Sequence, residues 1–376
     1  MTEGSPHSSQ DGLGPDASSG RALQSGRHAD PVGERQHAGD EDVGQADRND
    51  DRQDEYGRHG ELDKPPQKAG SQPLFGPRRR RLPIILLLLT VASTFWVGAS
   101  QWMPMILFTC FDARGGFTLM PIRREIVAHW QDGLIYSACV LGILLTHEMG
   151  HFLATLRYRI PASFPFCIPF PISPIGTMGA VIAMDGRQAD RKELFDIGLA
   201  GPLAGLVIAA PVMWIGIQQL DVTDPPPAVY ALESPLGVRL VLDEVRPPGY
   251  EVGQAIPNTS LNPFFMAGWV GLLITGLNML PVSQLDGGHV IYALLGKWAH
   301  WVARALIVLA IAWSVYHAQP TWVLMIGLVL LIGTDHPPTR DDRAPLGWFR
   351  IVLGVVSLAI PILCFSPMAL TTGMGG

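Results

Sequence analysis

Residues 134–151 read LIYSACVLGILLTHEMGH. An uncharged apolar run ends in two histidines and a glutamate. His147 and His151 are four residues apart, a spacing that puts both imidazoles on one face of an α-helix, able to grip one metal ion. Glu148 stands beside them, where it can take a proton from a water at the metal. Zinc lowers the pKa of such a water to about 7, which makes a nucleophile at neutral pH. HExxH also arises by chance, in roughly one chain in fifty of this length from residue frequencies. The apolar setting weighs against chance here, because His and Glu in or near a membrane are costly and mark function. Gly150 lets another backbone approach the metal-facing side closely.

A catalytic zinc site needs a third protein ligand and an open fourth position. Acidic residues are rare in the apolar part of the chain, and Asp286 stands out among them. It lies in the stretch NMLPVSQLDGG, residues 278–288, directly after an apolar segment at 264–282. Pro281, with Gly287 and Gly288, predicts a broken helix whose freed backbone groups line a wet cavity. A carboxylate on that break suits a metal. Taken alone, Asp286 would be a helix cap; beside HEMGH, the ligand reading is the better one.

The surrounding composition predicts a membrane protein. Apolar residues make up 48% of the 376, and charged residues only 16%, against roughly 25% in ordinary soluble proteins. Residues 1–76 are polar, with too few apolar side chains to offset the entropy of folding, which predicts disorder. Neither a secretory signal nor an organelle transit peptide is expected there. The net charge of −6 comes largely from this head. It gives no reason to expect a nucleic-acid partner, and no basic aromatic-rich surface is visible. The four cysteines (Cys110, Cys139, Cys167 and Cys364) form no CxxC pair, which excludes a Cys-based zinc finger and argues against a disulfide framework.

Arg78–Arg81 closes the head, and residues 82–103 follow without a charge, long enough to cross a bilayer. Further apolar segments at about 133–156, 193–218, 264–282, 302–318, 320–334 and 347–366 bring the count to about seven. The basic cluster places the N-terminus on the cytoplasmic side. Counting onward, HEMGH and Asp286 reach similar depth near that side. Arg157, Arg159, Arg187, Arg191, Lys192, Arg340 and Arg343 also fall inside, whereas Arg114, Arg123 and Arg124 fall outside against the trend. Gly198, Gly201 and Gly205, at near-helical spacing, predict close helix packing.

HEMGH in one span and NMLPVSQLDGG in a later one resemble the paired signatures of the site-2 protease family of intramembrane zinc metalloproteases. Residues 165–205, 262–296 and 334–346 are similar to a subgroup, found in bacteria and plastids, that lacks an inserted PDZ domain. The likeness covers roughly 125–350, and the loop at 219–261 is too short for a domain of about 100 residues. It implies that His147, His151 and Asp286 bind one Zn2+ per chain and that Glu148 is the general base. Asn278 either donates to the scissile carbonyl or makes an interhelical hydrogen bond. His289 either touches the metal cavity or supports it from behind. The β-prone segment 176–184 either holds an unwound substrate at its strand edge or forms a re-entrant plug.

The expectation is therefore an all-α polytopic membrane protein of about seven spans. Its catalytic core would be the three spans 133–156, 193–218 and 264–282, with a small re-entrant or β segment. Residues 1–81 would be a disordered cytoplasmic region and 82–376 a membrane metalloprotease domain. It would sit in a bilayer, a bacterial cytoplasmic membrane, and cleave transmembrane segments of membrane-protein substrates with its active site on the cytoplasmic side. A metal-ion transporter and a catalytically inactive, partner-binding homologue are the rival readings.

Overall fold

The computed structural model describes residues 81–110, 116–282, 284–317, 338–368 and 370–372. The expected head, up to residue 80, and the expected span at 320–334 lie outside the described residues.

Helix α1 (Arg81–Ala99) carries its large apolar side chains outward and its small or hydroxylated ones inward. Leu82, Ile84, Ile85, Leu88 and Leu89 are exposed, while Thr90, Ser93, Thr94, Gly98 and Ala99 are buried. That inversion of the soluble pattern is how helices pack where lipid solvates the apolar side chains. Helix α2 (Met120–Tyr158) starts well before the expected residue 133 and runs 39 residues, roughly 58 Å against a hydrocarbon core of about 30 Å. A non-helical His129 (φ −129°, ψ 24°) kinks it, so the turns bearing Arg123 and Arg124 form a separate leading segment. Thr94 and Ser137 share a hydrogen bond of 2.8 Å between α1 and α2.

A hairpin follows, β1 (Phe166–Phe170) pairing antiparallel with β2 (Gly176–Val181), with an irregularity between Cys167 and Pro169. Its turn is pinned from two helices. Ser93 donates to the Gly176 carbonyl (2.5 Å) and Tyr136 to that of Ile175 (2.6 Å). Helix α3 (Arg191–Gln218) begins at a capping box, in which the Asp190 side chain accepts from the Lys192 and Glu193 amides and the Glu193 side chain accepts from the Asp190 amide. The reciprocal pairs satisfy donors that a helix start leaves open.

The 219–261 connection holds β3 (Tyr230–Leu232), the short helix α4 (Leu236–Val245) and β4 (Ile256–Pro257). Helix α5 (Pro263–Asn278) ends four residues before the expected 282. Helices α6 (Asp286–Leu295) and α7 (Ala299–Tyr316) are joined by a 3-10 turn, so the expected span at 302–318 starts far earlier. Helices α8 (Trp348–Ser357) and α9 (Ala359–Cys364) divide the expected 347–366 segment, and β5 (Leu370–Thr372) pairs with β3 to complete a three-stranded sheet ordered β4-β3-β5.

The molecule is thus mostly helical. Among the described residues, four helical stretches are long and apolar enough to cross a membrane: α1, α2, α3 and the α6–α7 run; α5 and α8–α9 are shorter apolar helices. Helices α2, α3 and α5 pack on one another. Gly268 of α5 makes this possible, since a Cβ there would stand 2.7 Å from Met213 Cα on α3. We expect Gly268→Leu to lower stability by about 1–3 kcal/mol, the usual cost of overpacking, because backbone opposes it. Unfolding in detergent measures this, and an unchanged midpoint would mean that α3 and α5 separate freely.

Candidate metal centre

His147 and His151 project from one face of α2 with their Nε2 atoms 3.2 Å apart. Asp286, the first residue of α6, brings Oδ2 to 3.2 Å from His147 Nε2 and 3.3 Å from His151 Nε2. Ligand atoms at tetrahedral angles, about 2.05 Å from a zinc ion, lie about 3.3 Å from one another. The triangle therefore fits one face of a zinc tetrahedron. Both histidines are buried, and the Asp286 side chain is 15% exposed.

Each donor is aimed by its surroundings. His151 Nδ1 hydrogen-bonds the Ile197 carbonyl of α3 at 2.8 Å. That contact holds the proton on Nδ1 and leaves the Nε2 lone pair facing the cluster, as a backbone partner does for metal-binding imidazoles. Asp286 is delivered by the break between α5 and α6. Tight backbone turns (Leu280 to Leu277, Val282 to Leu280, Leu285 to Val282) carry the chain around Pro281. A Cβ on Gly287 would run into the Met279 carbonyl, so the residue after the aspartate must be glycine for α6 to start this close to the end of α5.

The glycines of α3 form the wall behind the imidazoles. A Cβ at Gly201 would overlap the His151 ring, and one at Gly205 would come within 3.1 Å of His147 Nδ1. Gly150 of α2 in turn packs on the Ala200 carbonyl. The spacing of these glycines is visible in the sequence as a helix-packing signal, but nothing there shows that the surface they meet is the pair of metal-facing rings. The Ile197 carbonyl has no sequence signature at all, since any residue would supply it.

Glu148 is buried beside the two imidazoles, near the backbone of Ile182, the residue after β2. Asn278, the last residue of α5, has its amide nitrogen 3.4 Å from His147 Nε2. His289 packs over Gly198, where a Cβ would lie 2.9 Å from the His289 Cβ. It is outside the group whose ligand atoms lie within 4.8 Å of one another; that group, among the described residues, is His147, His151 and Asp286.

A bundle of apolar helices holding an HExxH helix against a carboxylate from a broken partner helix has the make-up of a membrane-type zinc metallopeptidase. Residues 135–313 match peptidase family M50. The probable zinc metalloprotease EGY1, chloroplastic, of Oryza sativa subsp. japonica is 29% identical over 301 residues, covering 76% of this chain and 50% of the relative. Its namesake from Arabidopsis thaliana is 29% identical over 306 residues, covering 76% and 53%. The probable zinc metalloprotease EGY2, chloroplastic, of Arabidopsis thaliana is 28% identical over 295 residues, covering 74% and 50%. Over residues 135–313, just under half of its length, the chain is similar to peptidase family M50. It spans about half the length of the curated relatives it matches. Their names place them in chloroplasts rather than in a bacterial membrane of the kind the sequence suggests.

The glycine wall yields a graded expectation. Gly201→Ala should weaken zinc retention against a chelator by about 10–100-fold, the range for disturbing a ligand's support. Gly205→Ala should cost less, and Gly142→Ala, where a Cβ meets nothing within 4 Å, should cost nothing. Equal retention in all three would remove α3 as the element that positions the imidazoles.

Proposed function

We propose that the chain is a zinc-dependent intramembrane endopeptidase that hydrolyses peptide bonds in or near the transmembrane segments of membrane proteins. The observation that carries this reading is the buried His147–His151–Asp286 triangle with Glu148 beside it, inside an apolar bundle. Helix α2 continues about three turns, roughly 16 Å, past His147, which supports a site set within the bilayer rather than on its surface.

Zinc, one ion per chain on those three ligands, would supply a Lewis acid for the scissile carbonyl and a water of lowered pKa. Glu148 takes the proton from the attacking water and passes it to the departing amide nitrogen. Asn278 donates its amide hydrogen to the carbonyl oxygen as negative charge grows there, the kind of help an oxyanion donor gives. A helical substrate must unwind before its peptide bond is reached. The β1–β2 hairpin, which ends beside Glu148, offers an edge on which an unwound segment can pair.

The count of about seven spans and the orientation belong to the same proposal. Arg157, Arg159, Arg187, Arg191, Lys192, Arg340 and Arg343 gather near the end of the bundle where α2 stops and α3 starts. The positive-inside tendency then puts that end, and the approach to the site, in the cytoplasm. The partners are the substrate segment and the bilayer, with no nucleic acid. A metal-ion transporter would need further ligand groups along a path, and the described residues hold the single group.

Purified Glu148→Gln assayed on a membrane-segment substrate tests the assignment. Zinc should be retained while cleavage falls by about 10²–10⁴-fold, the worth of a positioned general base. Undiminished cleavage would sink the role of Glu148. Zinc movement across vesicles that survives the substitution would favour transport.

A further inference from the structure

At the end of the bundle where α2 stops, a second polar network stands behind the metal cluster. Tyr158 lies about two turns after His151, on the same face of α2. Its hydroxyl donates to Asp196 Oδ2 at 2.5 Å. Arg350, in the first turn of α8, grips the same carboxylate as a fork, with Nε 2.8 Å from Oδ1 and Nη2 2.8 Å from Oδ2. Asp196 is the residue before Ile197, whose carbonyl accepts from His151 Nδ1. The start of α8, the end of α2 and the backbone that aims His151 therefore meet at one side chain.

The segment leading into α8 is tied to both halves of the site. The Arg340 amide donates to the Ala189 carbonyl and its guanidinium to Glu193, at 2.9 and 3.1 Å, just ahead of and inside the first turn of α3. Arg191 donates to the Ala293 and Leu294 carbonyls at the far end of α6, at 2.5 and 3.1 Å, and Tyr292 of α6 donates to Asp342 at 3.1 Å. Beneath these bonds Leu346 is buried with Phe195 and Leu199 of α3, Met279, and Val290 and Ala293 of α6. A Cβ on Gly354 of α8 would lie 2.8 Å from the Phe195 ring. Helix α3 backs the histidines and α6 begins with Asp286, so this strap sets where the two stand relative to each other.

An ion pair exposed by a quarter to a third, as Asp196 and Arg350 are, adds little to stability. What a two-point guanidinium–carboxylate fork supplies is direction. We infer that Arg350 is a positioning residue of the metal centre, acting through Asp196 on the Ile197–His151 hydrogen bond. The inference rests on the zinc-peptidase reading above.

The test uses the full chain in the Glu148→Gln background, where zinc binding is read without turnover, by competition with a chromogenic chelator. Arg350→Ala should bind zinc about tenfold more weakly, within the range for losing a ligand's outer partner. Arg350→Lys, which keeps the charge and loses the fork, should fall between. Arg340→Ala, which loses one strap contact but leaves the fork on Asp196 intact, should weaken zinc by clearly less than Arg350→Ala does. With Glu148 restored, Arg350→Ala should lower kcat about tenfold and leave KM within about twofold. If Arg350→Ala fails to fold, Tyr158→Phe, which removes one bond to the same carboxylate, should weaken zinc about threefold. Parental zinc affinity in whichever variant folds overturns the inference. So does a loss shared equally by Arg350→Ala and Arg340→Ala in step with thermal stability. Failure of the peptidase reading is separate: the wild-type chain would neither hold zinc nor cleave.

Discussion

Two imidazole nitrogens and a carboxylate oxygen, 3.2–3.3 Å apart inside an apolar bundle, turn their lone pairs on one another unless positive charge stands between them. Bringing a carboxylate into such surroundings costs far more than a neutral side chain does, and a paired cation is what offsets it. Most of the architecture follows from meeting that condition with ligands from two helices. Helix α2 can supply two donors by itself because four residues make about one turn. It cannot supply the third, so a second helix must begin at the same depth with its first side chain turned inward. The break at 279–285 is that beginning.

Close approach is the second condition, and it is met by removing side chains. The rings of His147 and His151 occupy the volume that side chains on Gly205 and Gly201 would take, and the start of α6 lies where a side chain on residue 287 would meet the Met279 carbonyl. In water, glycines within a helix weaken it. In a bundle solvated by lipid, association rests on packing rather than on expelling water from apolar faces, so the same glycines let helices seat. The small face of α3 thus packs the helices and seats the ligands at once.

The nature of the site was readable because its chemistry is local: HEMGH places two imidazoles by helical spacing alone, and NMLPVSQLDGG announces a broken helix with a carboxylate on it. Their juxtaposition could be argued only from depth, and the structure supplies the distances. Helix lengths were read less well. Hydropathy stops at charges, and α2 does not: Arg123 and Arg124 lie in its first turns, ahead of the kink at His129. Helix α4 and the β4-β3-β5 sheet have short, mixed sequences and depend on partners far away, with β5 joining β3 from the other end of the chain. The hairpin at 176–181 was legible as a β-prone run, but its pinning by Ser93 and Tyr136 was not, since hydroxyls in a membrane helix look alike whether they bond their own turn or a distant carbonyl.

Packing also limits from which side the proposed substrate could come. Helix α3 lies so close to His151 Nε2 that no side chain fits at Gly201, so it closes one side of the donor triangle. The fourth position of a tetrahedron on that triangle must then point the other way. Glu148 lies next to His147 on α2, and Asn278 brings its amide nitrogen to 3.4 Å from His147 Nε2. Exposure agrees with this direction: Asp286 is 15% exposed, His147 3% and His151 7%. On the proposed function, water and an extended peptide would share that open side. The proposed base and the proposed oxyanion donor would then both border that approach, as hydrolysis requires.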